Sequence, residues 1–183
     1  KGGQNLLPTA FEAAGGFVLG NLRRFGYGGA LHLVSRSSRD IDGLPCVAAP
    51  GELPEDIDVA VLAIPEAGVL DAVRALAARR CHAAVLFASG YAEAGEEGRA
   101  RQQALLEAAG PMALVGPNCM GYTNYAHGLP LTFELLEPGA VADRPGVGVV
   151  AQSGFMAATL RDAFLGRGLP IRTVFSTGNE ASV

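Results

Sequence analysis

A chain of 183 residues, 49% of them hydrophobic, can fill a sizeable core and has room for one large domain or one domain and part of another. Its net charge of −4 and its lack of any Lys- or Arg-rich run exclude a dedicated nucleic-acid binder; Lys1 is the only lysine among 14 basic residues. Cys46, Cys81 and Cys119 form no CxxC pair and argue against a disulfide framework or a metal site, while no apolar run reaches a membrane span and no basic stretch leads an apolar one at the start, so a cytoplasmic protein is expected, away from membranes.

Apolar runs alternate with helical patterns along the chain, which predicts an open, mostly parallel α/β sheet. Residues 5–14 carry no β-branched run and read as helix or coil, so the strand that normally opens such a fold is missing; 1–14 stand as an atypical segment. Gly15-Gly16 is expected to open a helix with Val18, Leu22 and Phe25 on one face, closed by Gly26-Tyr27-Gly28-Gly29. A strand is predicted over 30–34, a loop with a short edge strand over 45–56, and a central buried strand over 57–64. Pro65 suits the start of the next helix, over 66–80. Then come a strand over 83–88, a helix over 96–108 and a strand over 112–115. A Pro- and Gly-rich stretch over 127–145 reads as a linker, after which a second unit begins: strand 147–151, a turn at Gln152-Ser153-Gly154, a helix to about 165 and a strand over 171–175. The domain expectation is 15–125, a linker over 126–145, and a second unit from 146 that breaks off at 183.

Ligands of open parallel sheets bind beyond the carboxyl ends of the strands. Those ends read Ser35-Arg36-Ser37, Ile64-Pro65-Glu66, Ala88-Ser89-Gly90 and Gly116-Pro117-Asn118-Cys119, small or turn-forming residues that let a ligand approach the backbone. Arg36 offers a planar cation to a phosphate. Gln152-Ser153-Gly154 lies between a strand and a helix, where free N–H groups and the positive dipole end favour an anion; a plain Ser N-cap is the other reading. Gly154 is expected to let the backbone turn closely into the helix, leaving this turn apart from the first groove.

Taken together these segments resemble the succinyl-CoA synthetase α-subunit and its relatives, the NDP-forming acyl-CoA synthetases. The loop at 116–121 is similar to their GPNCxG loop, 60–65 to a strand ending in a Val/Ile-Pro pair, and 87–95 to their SxGFxExG segment. Ala151-Gln152-Ser153-Gly154 is similar to an SQSG turn and Ser176-Thr177-Gly178-Asn179-Glu180 to an S-x-GNEA stretch, and all five fall in family order. In detail the sequence is similar to the acetate- or feruloyl-CoA ligase type.

The resemblance implies a Rossmann-like CoA-binding domain followed by the start of a second, flavodoxin-like α/β domain. Ser35, Arg36, Ser37, Ile64, Pro65, Glu66, Ala88, Ser89, Gly90, Pro117, Asn118 and Cys119 would line the coenzyme A groove, and Gln152, Ser153 and Gly154 would hold phosphate. Where the family has an Asn-Pro or Pro-Gly-Lys type turn after the first long strand, this chain has Ser35-Arg36-Ser37. It also implies an acid–thiol ligase working through acyl phosphate and phosphohistidine on a small carboxylic acid, with ATP/ADP and Mg held by an ATP-grasp domain or subunit outside these residues; a homo-oligomer stays open. Cys119 has no His near it in sequence and is read as a packing residue. His32, His82 and His127 lack the context of the family's active histidine, so no catalytic residue and no metal ligand is assigned. Two other classes stand beside this one: a CoA-sensing module fused to a protein acetyltransferase, and a nicotinamide oxidoreductase. The second needs a GxGxxG turn and an acidic residue ending the second strand, and the chain has neither.

Overall fold

The computed structural model describes residues 10–138 and 145–182. Helix α1 spans Ala10–Arg24 and thus runs through Gly15-Gly16 instead of starting there. The conformational cost of glycine inside a helix is offset by burial of Val18, Leu19 and Leu22. Its end is a Schellman motif at left-handed Gly26 (φ +69°), in which the Gly26 N–H donates to Arg23 O and the Tyr27 N–H to Leu22 O. Residues 1–9 and 139–144, including part of the expected linker, lie outside the described residues.

Strand β1 is only Leu33–Val34, shorter than expected. Strands β2 (Asp40–Ile41) and β3 (Leu44–Val47) form a hairpin through Asp42-Gly43, both at positive φ, and β3 also pairs parallel with β1. β3 is therefore the middle strand of this small sheet, not an edge strand; the Asp-Gly pair was the turn signal for it.

The main sheet is parallel, in the order β4 (Val59–Leu62), β5 (Ala83–Leu86), β6 (Ala113–Val115), with Leu62 beside Leu86 and Val85 beside Val115. Helices α2 (Glu66–Ala78) and α3 (Glu96–Ala109) pack on one face through Val69, Val73, Leu76, Leu86 and Leu105. On the other face α1 brings Val18 and Leu22 against Val85, Phe87 and Leu131. Among the described residues neither β1 nor β4 has a strand on its second edge.

The stretch expected as a linker contains a strand. β7 (Gly121–Asn124) and β8 (Leu129–Thr132) form an antiparallel hairpin, turned by a 3-10 segment whose Asn124 side chain accepts the His127 N–H and by left-handed Gly128. Pro130 sits in β8, an edge strand, where its missing N–H costs least. β9 (Val147–Ala151), α4 (Gly154–Leu165) and β10 (Ile171–Ser176) make a strand–helix–strand crossover, and β10 pairs parallel with β9 and antiparallel with β7. The second unit thus extends the hairpin into one sheet, β8-β7-β10-β9. Fully buried Asn21 on α1 fastens the chain after β8: its Nδ2 donates to Thr132 O (3.1 Å) and Glu134 O (2.6 Å), and its Oδ1 accepts the Leu136 N–H. Among the described residues no helix is long and apolar enough to cross a membrane.

Candidate functional site

The strand ends stand side by side as one row of loops. After β1, the Ser35 hydroxyl accepts the N–H groups of Ser37 (3.3 Å) and Ser38 (3.0 Å), closing a tight turn that leaves Arg36 exposed. The Arg36 guanidinium reaches 3.8 Å from where a Cβ on Gly68 would sit, so it lies over the first turn of α2. That turn follows Ile64-Pro65, with Pro65 as the residue before Glu66, and Glu66 forms an ion pair with Arg101 at 3.6 Å.

Next in the row is the loop after β5. Ala88 is buried and Ser89 exposed, and Gly90 (φ +103°) lies against Glu66, whose Cγ would be 3.6 Å from a Cβ there. Arg101 also donates to Gly90 O (2.9 Å), and the Gly90 N–H donates to Glu93 Oε1 (2.5 Å). The loop after β6 joins at Ala88, whose carbonyl accepts the Asn118 N–H at 2.9 Å. Pro117 is buried, and Asn118 holds a left-handed conformation (φ +56°) that leaves its side chain exposed. Cys119 points inward: it is buried, its thiol donates to Leu86 O (3.4 Å), and burial pushes its pKa up to about 11. A neutral, enclosed thiol is no nucleophile at physiological pH.

The loop after β10 completes the row. The Asn179 N–H donates to Pro117 O (2.9 Å), the Ala181 N–H to Gly116 O (3.1 Å), and the Gly178 N–H to Gln152 O (3.1 Å). The Gln152 side chain returns a bond to Gly178 O at 3.1 Å. Ser153 is the N-cap of α4, its hydroxyl accepting the Met156 N–H at 3.4 Å. Gly154 is tighter than the sequence implied, since a Cβ there would collide with the Met120 side chain. Met120 follows Cys119 in the chain, so the turn lies against the loop after β6.

The structure therefore brings all five segments into one line. It also gives a role to Glu93, Arg101, Gln102 and Asn179, which were not among the expected site residues and hold the loops to one another. Glu93 stood within the SxGFxExG-like segment and Asn179 within the GNE stretch, but nothing in their spacing told that they would meet. His32 and His82 precede β1 and β5, at the opposite ends of those strands from the loops, and His127 lies in the β7–β8 turn. A cavity of about 170 Å³, bordered by Leu31, Leu33, Cys46, Val47 and Leu53, includes none of the row.

Parallel strands ending in glycine- and serine-bearing loops, flanked by a cation and by a helix start, define an α/β ligand-binding domain of the kind that takes nucleotide-like molecules at the carboxyl edge of its sheet. A family model described as a CoA binding domain matches residues 9–125, and the chain belongs to that family. It is 42% identical over 175 residues to a trans-feruloyl-CoA synthase, FCS1, from an unknown prokaryotic organism, covering 93% of this chain and 24% of that protein. To acetate–CoA ligase [ADP-forming] I of Archaeoglobus fulgidus it is 30% identical over 169 residues, covering 91% of this chain and 24% of that protein. The apo structure of the dinucleotide forming acetyl-coenzyme A synthetase 1 of Ca. Korarchaeum cryptofilum matches with a TM-score of 0.83 at 26% identity, over 93% of this chain and 36% of that one. This chain thus spans about a quarter of the length of these curated relatives.

Proposed function

We propose that this chain is the coenzyme A-binding part of an NDP-forming acyl-CoA synthetase, an acid–thiol ligase. The observation that carries the reading is the unbroken row of loops from Ser35 to Gln152 along the strand ends, one side bearing an exposed cation and the other a helix start. The membership of residues 9–125 in a CoA-binding family supports it.

Arg36, with the small hydroxyls of Ser35, Ser37 and Ser89, faces the phosphates of the nucleotide end. Ile64, Pro65, Ala88 and Gly90 give a close, largely apolar path for pantetheine, Glu66 braces it through Arg101, and the backbone of Pro117-Asn118-Cys119 forms its far wall, with the Cys119 thiol packed behind it. Gln152, Ser153 and Gly154 take a phosphate at the start of α4. Residues 15–125 are the CoA-binding unit and residues from 146 open the ligase unit. In the whole enzyme a nucleoside triphosphate phosphorylates a histidine outside this chain, and that phosphoryl group passes to the carboxylate of a small acid. The CoA thiolate then displaces phosphate from the acyl phosphate to give acyl-CoA. An ATP-grasp module holds the nucleotide and Mg, and this chain's residues bind CoA and orient the departing phosphate. The site of action is the cytoplasm.

Titration calorimetry of the full-length protein tests the reading. Saturable CoA binding that NADH does not displace is expected, weakened at least tenfold by Arg36→Glu, about 1.4 kcal/mol. Tighter binding of NADH than of CoA would overturn it.

A further inference from the structure

Both oxygens of the Glu93 carboxylate are occupied. Oε1 accepts the Gly90 N–H (2.5 Å), and Oε2 accepts the Tyr91 N–H (3.2 Å) and a bond from Asn179 Nδ2. Gly90 belongs to the loop after β5, Asn179 to the loop after β10. Asn179 Nδ2 also donates to Gln102 Oε1 (3.2 Å), which accepts the Ala92 N–H (3.3 Å), so this amide grips the β5 loop at two points. Its own backbone N–H holds Pro117. One residue earlier, Gly178 (φ +62°) exchanges bonds with Gln152 in both directions. Only glycine fits there, because a Cβ would collide with the carbonyls of Pro117 and Asn118. The contacts form a continuous path: Gly90, Glu93, Asn179, Gly178, Gln152.

We infer that Glu93 is a positioning residue for the Ala88-Ser89-Gly90 loop, and that Asn179 joins it to the Gln152-Ser153-Gly154 turn, so that CoA in the groove and an anion at the turn bind as a coupled pair. The inference rests on the assignment of those two sites in the proposed function. An anion at the start of α4 orders Gln152 and with it Gly178; Asn179 then holds Glu93, and Glu93 holds the Gly90 amide where the coenzyme passes. Each ligand favours the arrangement the other needs, and linkage makes the effect reciprocal. Among these bonds those of Asn179 Nδ2 come from a side chain, so they can be removed without touching the backbone bonds that seat the β10 loop on Pro117.

The test is CoA titration of the full-length protein with and without saturating inorganic phosphate, in the wild type, Asn179→Ala and Glu93→Gln. Phosphate should tighten CoA binding of the wild type by about fivefold or more, the lower range of allosteric couplings. In Asn179→Ala that response should vanish, so that the CoA dissociation constants with and without phosphate agree within about twofold, whatever their absolute value. Glu93→Gln, which keeps the shape and an acceptor but loses the charge, should give an intermediate response and guards against a misfolded alanine variant. An equal phosphate response in wild type and Asn179→Ala, or none in the wild type, overturns the coupling while leaving CoA binding intact. Absence of CoA binding by the wild type instead sinks the functional reading itself.

Discussion

Helices α2 and α4 both follow a parallel strand and both begin at a loop in the ligand row, yet they are held in different ways. α2 buries Val69, Ala72, Val73 and Leu76, two of them completely, against β5 and α3. α4 buries only Ala157 and Arg161, and leaves Phe155 78% and Met156 49% exposed. Beside a smaller apolar contact, in which Ala157, Leu160 and Phe164 meet Val149, Ile171 and Val174, α4 has a polar tie: Arg161 Nη1 pairs with Glu134 (3.1 Å), in the segment that Asn21 fastens to α1. The first region stands on apolar burial, which is non-directional and self-sufficient. The second adds a few directional links to a smaller apolar cluster, and those links make its placement specific.

The contrast can be broken most forcefully at the cores. Leu105→Ala, at a fully buried position on α3, should cost about 2–5 kcal/mol in urea unfolding, whereas Met156→Ala on α4 should stay within about 0.5 kcal/mol. Equal losses would erase the distinction. Removing the Arg161 charge is the next largest effect. Arg161→Met should cost about 3 kcal/mol because it strands Glu134 in a mostly enclosed position, and Arg161→Met with Glu134→Gln should recover most of it. A loss that persists in the double variant would mean that α4 depends on Arg161 for packing alone.

Two smaller effects sharpen the account of the β5 loop. The Tyr91 hydroxyl is buried with no hydrogen-bond partner among the described residues, and burial pushes its pKa to about 12. Tyr91→Phe should therefore stabilise the protein by about 1 kcal/mol, read as a rise in melting temperature. Glu93 is opposed by desolvation, but hydrogen bonds from Asn179, Gly90 and Tyr91 outweigh it and hold its carboxyl below its ordinary value. A lowered folded value means that its contribution is present above the unfolded value and is lost as pH falls through the folded one. The melting temperatures of wild type and Glu93→Gln should thus differ at neutral pH and converge at acid pH; a gap that widens on acidification would contradict the hydrogen-bond account.

The sequence made the repeating strand–helix order and the ligand-facing loops legible, because an apolar run ending at Pro65, Gly90 or Gly116 leaves few other interpretations. It hid β8, since Gly128 and Pro130 look like linker residues until the strand is seen at a sheet edge, and it hid the start of α1, where Gly15-Gly16 imitates a helix boundary. The motif residues of the row were readable one loop at a time. Their alignment was not, because Glu93 and Asn179 are far apart in the chain and only the paired sheets bring them together. The tightness at Gly154 was equally invisible, being set by Met120 from another loop.

The sheet order β8-β7-β10-β9 has a consequence for how the chain reaches this state. β10 is the last of the described strands to be synthesised, yet it lies between two others. Until Ser176 has been made, the β7–β8 hairpin keeps a bare hydrogen-bonding edge and β9 has no neighbour, so neither can complete its ladder locally. Closure of this sheet has to wait for a late, long-range insertion, the slow kind of step in assembling β structure. During that interval the paired strands β4-β5-β6 stand beside an open sheet, and the arrival of one strand seals the hairpin, the crossover and the Gln152 turn together, while Ala181 and Ser182 just after it bond to Gly116 and Leu114.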